Sequence, residues 1–361
     1  MSVMDDTLLI PGLEGEKARP DFSRLRDAVL RRGRSNRLPF LELFADNEIV
    51  EAVLGRPWQT EEDKVEFYFR LGYDSVPVGV GPSFGAPRKT APNTSALAKR
   101  DRAWVSDEVC PIRSRQDFEN YPWPDPDAHP VEEIVDTTAK LLPEGMLILA
   151  QSSGFLENVM WLMGYTAFAQ ALYDDPGLIE DMFDAVGTRI ISAYEKVIDH
   201  PAVGGVFFGE DMGFKTATMV SPDHLRKYHF PYLKRLADLA HAHGKFLILH
   251  SCGNLAEVMD DLIDYVGIDA KHSFEDAIMP VTEFKRIYGD RIAVVGGVDV
   301  DKLARLETDE LRVYVRRIIE ECAPDGGYVL GSGNSVANYV KVENYLAMLE
   351  EGWRYRNSNW V

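Results

Sequence analysis

Short apolar runs recur along the chain at 38–44, 75–80, 146–150, 205–209, 246–250, 268–272, 292–297 and 328–331, each with room for a helix before the next. Runs this brief and this continuously apolar fit strands buried on both faces, as in a parallel sheet. Between them, helical spacing of apolar residues marks 60–71, 131–142, 176–198, 222–243, 280–288 and 308–322, and the stretch 342–353 supplies a helix after the eighth strand. Strands and helices alternate, so the expected fold is α/β, and eight strands favour closure into a single (β/α)8 TIM barrel. Residues 1–36 are expected to form an N-terminal helical extension to a barrel over 37–361. Residues 81–126 break the alternation, and the cluster Tyr121-Pro122-Trp123-Pro124-Asp125-Pro126 cannot be helix interior. That stretch is expected to be a long insertion after strand two, covering the barrel mouth or presenting a docking surface.

A chain of 361 residues with 45% hydrophobic content can bury a large core. A net charge of −19 argues against nucleic acid as a partner, because phosphate backbones select basic surfaces. The start lacks the basic and apolar regions of a leader, and no apolar stretch is long enough for a membrane span. A cytoplasmic protein with no membrane partner is therefore expected. Cys110, Cys252 and Cys322 are too few and too scattered for a disulfide framework, so any special role rests on metal binding or reactivity.

Chemistry concentrates where the strands end, and in a barrel those ends share one mouth. Asp46 follows strand one, Gln151 with Ser152 and Ser153 strand three, and Glu210 with Asp211 strand four. His250 and Cys252 follow strand five, His272 ends strand six, Asp299 follows strand seven, and Ser332 with Asn334 strand eight. In an extended strand end, residues i and i+2 face the same side, so His250 and Cys252 can both reach one zinc ion. A third ligand would come from Glu210, Asp211 or His272. A lone His-x-Cys is a weak motif, since buried cysteines are common and a strand-end histidine is often simply hydrogen-bonded. His224, His229, His241 and His243 fall on the helix before strand five, where an outer packing role is the default.

The ordered segments Gly72-Tyr73-Asp74, Gln151-Ser152-Ser153-Gly154, Gly209-Glu210-Asp211-Met212-Gly213, His250-Ser251-Cys252-Gly253-Asn254, Gly296-Gly297-Val298-Asp299 and Gly331-Ser332-Gly333-Asn334 resemble the uroporphyrinogen decarboxylase superfamily. The resemblance spans 40–352 and implies a (β/α)8 barrel and a homodimer. It also implies one of two chemistries. True decarboxylases resemble one another in an Arg-Gln-Ala-Gly-Arg core whose cations meet a substrate with eight carboxylates. Here the corresponding stretch is Phe44-Ala45-Asp46-Asn47-Glu48, which would repel that substrate. The histidine that decarboxylases carry after the last strand is replaced, most simply by Asn334, while Asp74 matches their catalytic aspartate.

The other branch comprises cobamide-dependent methyltransferases, in which the His-x-Cys pair and a second cysteine after the last strand hold zinc. His250 and Cys252 are present; Ser332, Gly333 and Asn334 stand where the second cysteine belongs. Relatives acting on methoxylated aromatics use carboxylate and histidine ligands, so Glu210, Asp211 or His272 would complete a different set. The expectation is a methyltransferase moving a methyl group between a small methylated substrate or thiol and a corrinoid carried by a partner protein. In it His250 and Cys252 hold zinc, Glu210, Asp211 and Asp74 are catalytic, and Gln151, Asn334, Asp299 and His272 bind substrate. The alternatives are a decarboxylase and a small-molecule-binding barrel without turnover.

Overall fold

The computed structural model describes residues 4–33, 36–105 and 109–355. Its centre is a curled, wholly parallel sheet of seven strands: β1 (Ser75–Gly79), β4 (Leu147–Ser152), β5 (Val203–Gly209), β6 (Leu247–His250), β7 (Ala270–His272), β8 (Ala293–Val295) and β9 (Tyr328–Val329), paired in that order. β2 (Arg88–Ala91) and β3 (Arg102–Val105) form a separate antiparallel hairpin. Every residue of β6, β7, β8 and β9 is buried, and most of them are apolar, Lys271 and His272 of β7 and His250 of β6 being the buried polar exceptions.

Alternation along the strands sorts the core into two clusters. Leu149, Phe207, Ile248, Ala270, Ala293, Val295 and Val329 form one of them with Leu41 and the helix Phe22–Val29. Phe22 stacks on Phe246 with ring centroids 5.9 Å apart, and Gly204 makes room for its ring. The second, larger cluster joins the opposite sheet face to the surrounding helices. The longest of these, Pro176–Val197, starts where Asp175 accepts from the Leu178 N–H and Pro176 occupies a position that needs no donor.

Two expectations need correction. Residues 38–44 do not form a full strand: a single parallel bridge joins Phe40 to Leu330, and no ladder joins the segment to β1 among the described residues. Pro39 has no N–H to donate to a ladder. The segment is nonetheless tied to the sheet: Leu41 N–H donates to Leu330 O and Gln151 Nε2 on β4 donates to Leu43 O. The second correction concerns 222–243, which divides into Pro222–His224, a π-helical turn Leu225–His229 and an α-helix Phe230–Ala242. Within 81–126 lie the β2–β3 hairpin and a short helix Arg115–Asn120, which stops before Tyr121-Pro122 as the prolines require.

Candidate metal centre

The carboxyl ends of β4, β5 and β6 surround a cavity of about 460 Å³ lined by Gln151, Ser153, Glu157, Asp211, His250, Cys252 and Asn334, with Leu43, Phe44 and Phe207 as apolar walls. No lysine or arginine lines it among the described residues. Asp211, His250 and Cys252 bring three donor atoms within 4.8 Å of one another. His250 Nε2 lies 3.5 Å from Cys252 Sγ and 3.6 Å from Asp211 Oδ1. Zinc bonds of about 2.0 to 2.3 Å in tetrahedral array imply ligand separations of about 3.3 to 3.8 Å, which both distances from His250 Nε2 match.

Backbone contacts hold the donors in place. The Cys252 N–H donates to Asp211 Oδ1 (2.9 Å), the Gly213 N–H to Cys252 O (3.2 Å) and the Asn254 N–H to Phe214 O (2.7 Å). The two loops touch because Gly213 and Gly253 have no side chains: a Cβ on Gly253, whose φ is +82°, would lie 2.2 Å from the Gly213 carbonyl carbon. Asn334 Nδ2 reaches Cys252 Sγ at 3.1 Å and Ser273 Oγ reaches it at 3.5 Å. Ser273 holds a φ of +87°, an unusual conformation for a serine.

Burial first, then the Asp211 charge, pushes the Cys252 thiol up to about 12, and burial brings His250 down to about 4. Without a cation the site therefore holds a neutral thiol beside a neutral imidazole. A bound cation reverses that preference for the thiol. On the far side of β7, burial lowers Lys271 to about 8, and its ammonium bonds the carbonyls of Ser251, His272 and Ser273.

The other residues singled out from the sequence are placed differently. Glu210 does not line the cavity; its buried carboxylate accepts from the N–H groups of Leu156 and Glu157 (both 3.1 Å) and from His229 Nε2 (2.8 Å). It thus seats the N-terminus of the helix Phe155–Met163, where a negative charge is favoured. Asp74 is not at the mouth either. It precedes β1 at the opposite end of the sheet, where it accepts from Arg24 Nη2 (2.6 Å), Arg37 Nη2 (2.9 Å) and the Asp21 N–H (2.9 Å). Asp299 caps the helix Val300–Arg305 and accepts from the Asp276 N–H, so its oxygens are occupied by backbone. His272 is fully buried behind His250, with their Nδ1 atoms 2.7 Å apart and its Nε2 3.3 Å from Ser332 O. Gln151 and Asn334 do line the cavity.

Three further residues bear on the site, one from its wall and two from behind it. Glu157 lines the cavity, its carboxyl pushed well above the ordinary value by burial and by Glu210 and Asp211. Its signal was the Gly154-x-x-Glu157 spacing at a helix start. His229, assigned by default to an outer face, turns inward to Glu210 at the end of the π-helical turn, whose extra residue rotates the rest of the helix about its axis. Glu42, on the imperfect first strand, grips Ser332 from the sheet face that meets Tyr73.

A curled parallel sheet with three metal-type donors at its carboxyl end defines an α/β enzyme of the kind that works at strand termini. The profile of the family described as Uroporphyrinogen decarboxylase (URO-D) matches residues 108–355, more than half of the chain, and the chain belongs to that family. It is 24% identical over 291 residues to a uroporphyrinogen decarboxylase of Thioalkalivibrio sulfidiphilus (strain HL-EbGR7), covering 76% of this chain and 72% of that protein. A second, from Anaeromyxobacter dehalogenans (strain 2CP-C), is 24% identical over 290 residues with the same coverage. Among solved structures, a methyltransferase from Methanosarcina mazei superposes with a TM-score of 0.69 at 17% identity, covering 94% of this chain and 98% of that one. At that identity the likeness establishes the fold. No helix among the described residues is long and apolar enough to cross a membrane.

Proposed function

We propose that this enzyme is a corrinoid-dependent methyltransferase, moving a methyl group between a small methylated substrate or thiol and a corrinoid carried by a partner protein. The observation that carries the reading is the cavity wall. It offers a thiol, an imidazole and carboxyls with no cation among the described residues, a poor receptacle for a substrate with eight carboxylates and a fitting one for a metal and a small neutral molecule. Zinc held by Asp211, His250 and Cys252 would supply a Lewis acid for an ether oxygen or a thiol. Asn334 and Ser273 hold the Cys252 sulfur in place. Gln151, its Nε2 committed to Leu43 O, presents its oxygen to a substrate donor, and Glu157 offers a hydrogen bond from the facing wall. Phe44 and Phe207 give the methyl-bearing group an apolar surface. Residues 38–44 serve as the eighth stave of the barrel, and 81–126 flank its mouth.

The decarboxylase reading has the names of the two sequence relatives behind it. Against it stand the cation-free wall and the ion pairs that occupy Asp74. Two measurements separate the readings. Protein purified without chelator from zinc-replete cells should contain close to one equivalent of zinc by elemental analysis, reduced in Cys252→Ala. A wild-type content below a tenth of an equivalent, unchanged in that variant, refutes the metal. Consumption of uroporphyrinogen with release of carbon dioxide, without methyl transfer to a corrinoid protein, refutes the methyltransferase.

A further inference from the structure

Behind the candidate metal centre the hydrogen bonds can run in one direction alone. Ser332 O is a carbonyl and only accepts, so His272 Nε2, 3.3 Å away, carries a hydrogen. His272 is wholly buried with no carboxylate among its hydrogen-bond partners, which keeps it neutral and leaves its Nδ1 a bare acceptor. The 2.7 Å contact between the two Nδ1 atoms then requires the hydrogen to sit on His250. His250 Nε2 is left with its lone pair, facing Cys252 Sγ and Asp211 Oδ1.

We propose that His272 is a positioning residue: it locks His250 in the tautomer whose Nε2 is free to bind a metal, relaying the orientation of the Ser332 carbonyl across the sheet. The role rests on the metal reading above. The fold builds for it in three ways. His250 and His272 are register partners on β6 and β7, which sets their rings 5.0 Å apart. The peptide that carries the Ser332 carbonyl is held through its Gly333 N–H, which donates to Val298 O at 2.6 Å, and the preceding one through the Ser332 N–H, which donates to Glu42 at 3.0 Å. Between the two lies Gly296 at a φ of +80°, where a Cβ would sit 2.3 Å from Ser332 O and 2.9 Å from His272 Cδ2. Any side chain there would occupy the space of the hydrogen bond. A histidine ligand whose second nitrogen donates to a fixed acceptor is the arrangement that sets ligand orientation and basicity. Here the acceptor is a second histidine.

Metal-free wild-type protein labelled with ¹⁵N-histidine tests the lock directly, through two-bond ¹H–¹⁵N correlations. The expected result is Nδ1–H on His250 and Nε2–H on His272; Nε2–H on His250 overturns the proposal. Zinc affinity measured against a competing chelator gives a second readout. His272→Leu, which removes the acceptor, should weaken zinc by about 10- to 100-fold. His272→Asn, whose Oδ1 can stand in for Nδ1, should stay within about threefold of wild type. Equal affinity of the Leu variant and wild type overturns the positioning role. Wild-type protein that shows the stated tautomers yet binds no zinc refutes the metal reading and leaves the tautomer lock standing.

Discussion

Replacing Asp74 by alanine should damage stability and spare the site. Its carboxylate is fully buried, and the Arg24 and Arg37 side chains that bond it are only 11% and 12% exposed. Removing the anion leaves two guanidinium groups close together with little water to solvate them. Breaking a buried pair in this way costs about 3 to 5 kcal/mol. An unfolding entropy of about 2.1 cal/mol/K per residue, over this chain, converts that cost into a melting temperature lower by about 4 to 7 °C. Calorimetry or far-UV circular dichroism reads the shift, and elemental analysis at 25 °C, where the variant is folded, reads the site. Asp74→Asn keeps one acceptor and should fall between the two. A melting temperature within about 1 °C of wild type, or a folded Asp74→Ala protein that has lost zinc or activity, would refute the structural role. The second of these outcomes would restore Asp74 as a catalytic candidate and strengthen the decarboxylase reading.

Glu42 predicts a pH dependence. Ser332 Oγ faces both a Glu42 oxygen and Asn334 O, and its one hydrogen cannot serve two acceptors; a protonated Glu42 resolves this by donating to Oγ. Burial accordingly raises its carboxyl to about 8 from 4.5. The folded state then keeps a proton that the unfolded chain loses, so the stability Glu42 contributes is fully present below about pH 4.5 and falls by about 1.4 kcal/mol per unit up to about pH 8. Urea titrations of wild type and Glu42→Gln should show that slope as their difference; parallel profiles would contradict it. Gly154→Ala places a Cβ 2.2 Å from the Glu210 carboxyl carbon and should cost about 1 to 3 kcal/mol by displacing it from the helix start, measurable by denaturant melts. Gly253→Ala should leave the protein folded but lower zinc affinity at least about tenfold by parting the Asp211 and Cys252 loops; unchanged affinity would show that the loop contact does not set the donors.

Most of the seven strands were legible because strands covered on both faces favour apolar residues, as in Leu147–Ala150 of β4, Leu247–Leu249 of β6 and all of β8; β7, Ala270-Lys271-His272, was marked only by the run that leads into it. Their ends were less so. The run 292–297 shortens to Ala293–Val295 because Gly296 and Gly297 turn at positive φ. The β2–β3 hairpin left no trace, since its residues are half-buried or exposed and carry no alternation of apolar and polar types. At the site, the i, i+2 spacing brings Cys252 Sγ to 3.5 Å from His250 Nε2. It could not choose between neighbouring acids. Glu210 and Asp211 are adjacent in sequence and face opposite ways, one into a helix start and the other toward His250. Asp74 was drawn in by motif, and its partners, Arg24 and Arg37, lie beyond any local pattern; Asp299 was drawn in by its place after strand seven, where it serves as the N-cap of the next helix.

The lacing of the β5 and β6 loops through Gly213 and Gly253 separates the socket from the groups plugged into it. Peptide groups fix the distance between the two loops, so the ligands at their tips can be exchanged without rebuilding either one. The same scaffold can host a different ion, or a different reaction, through changes of only a few side chains.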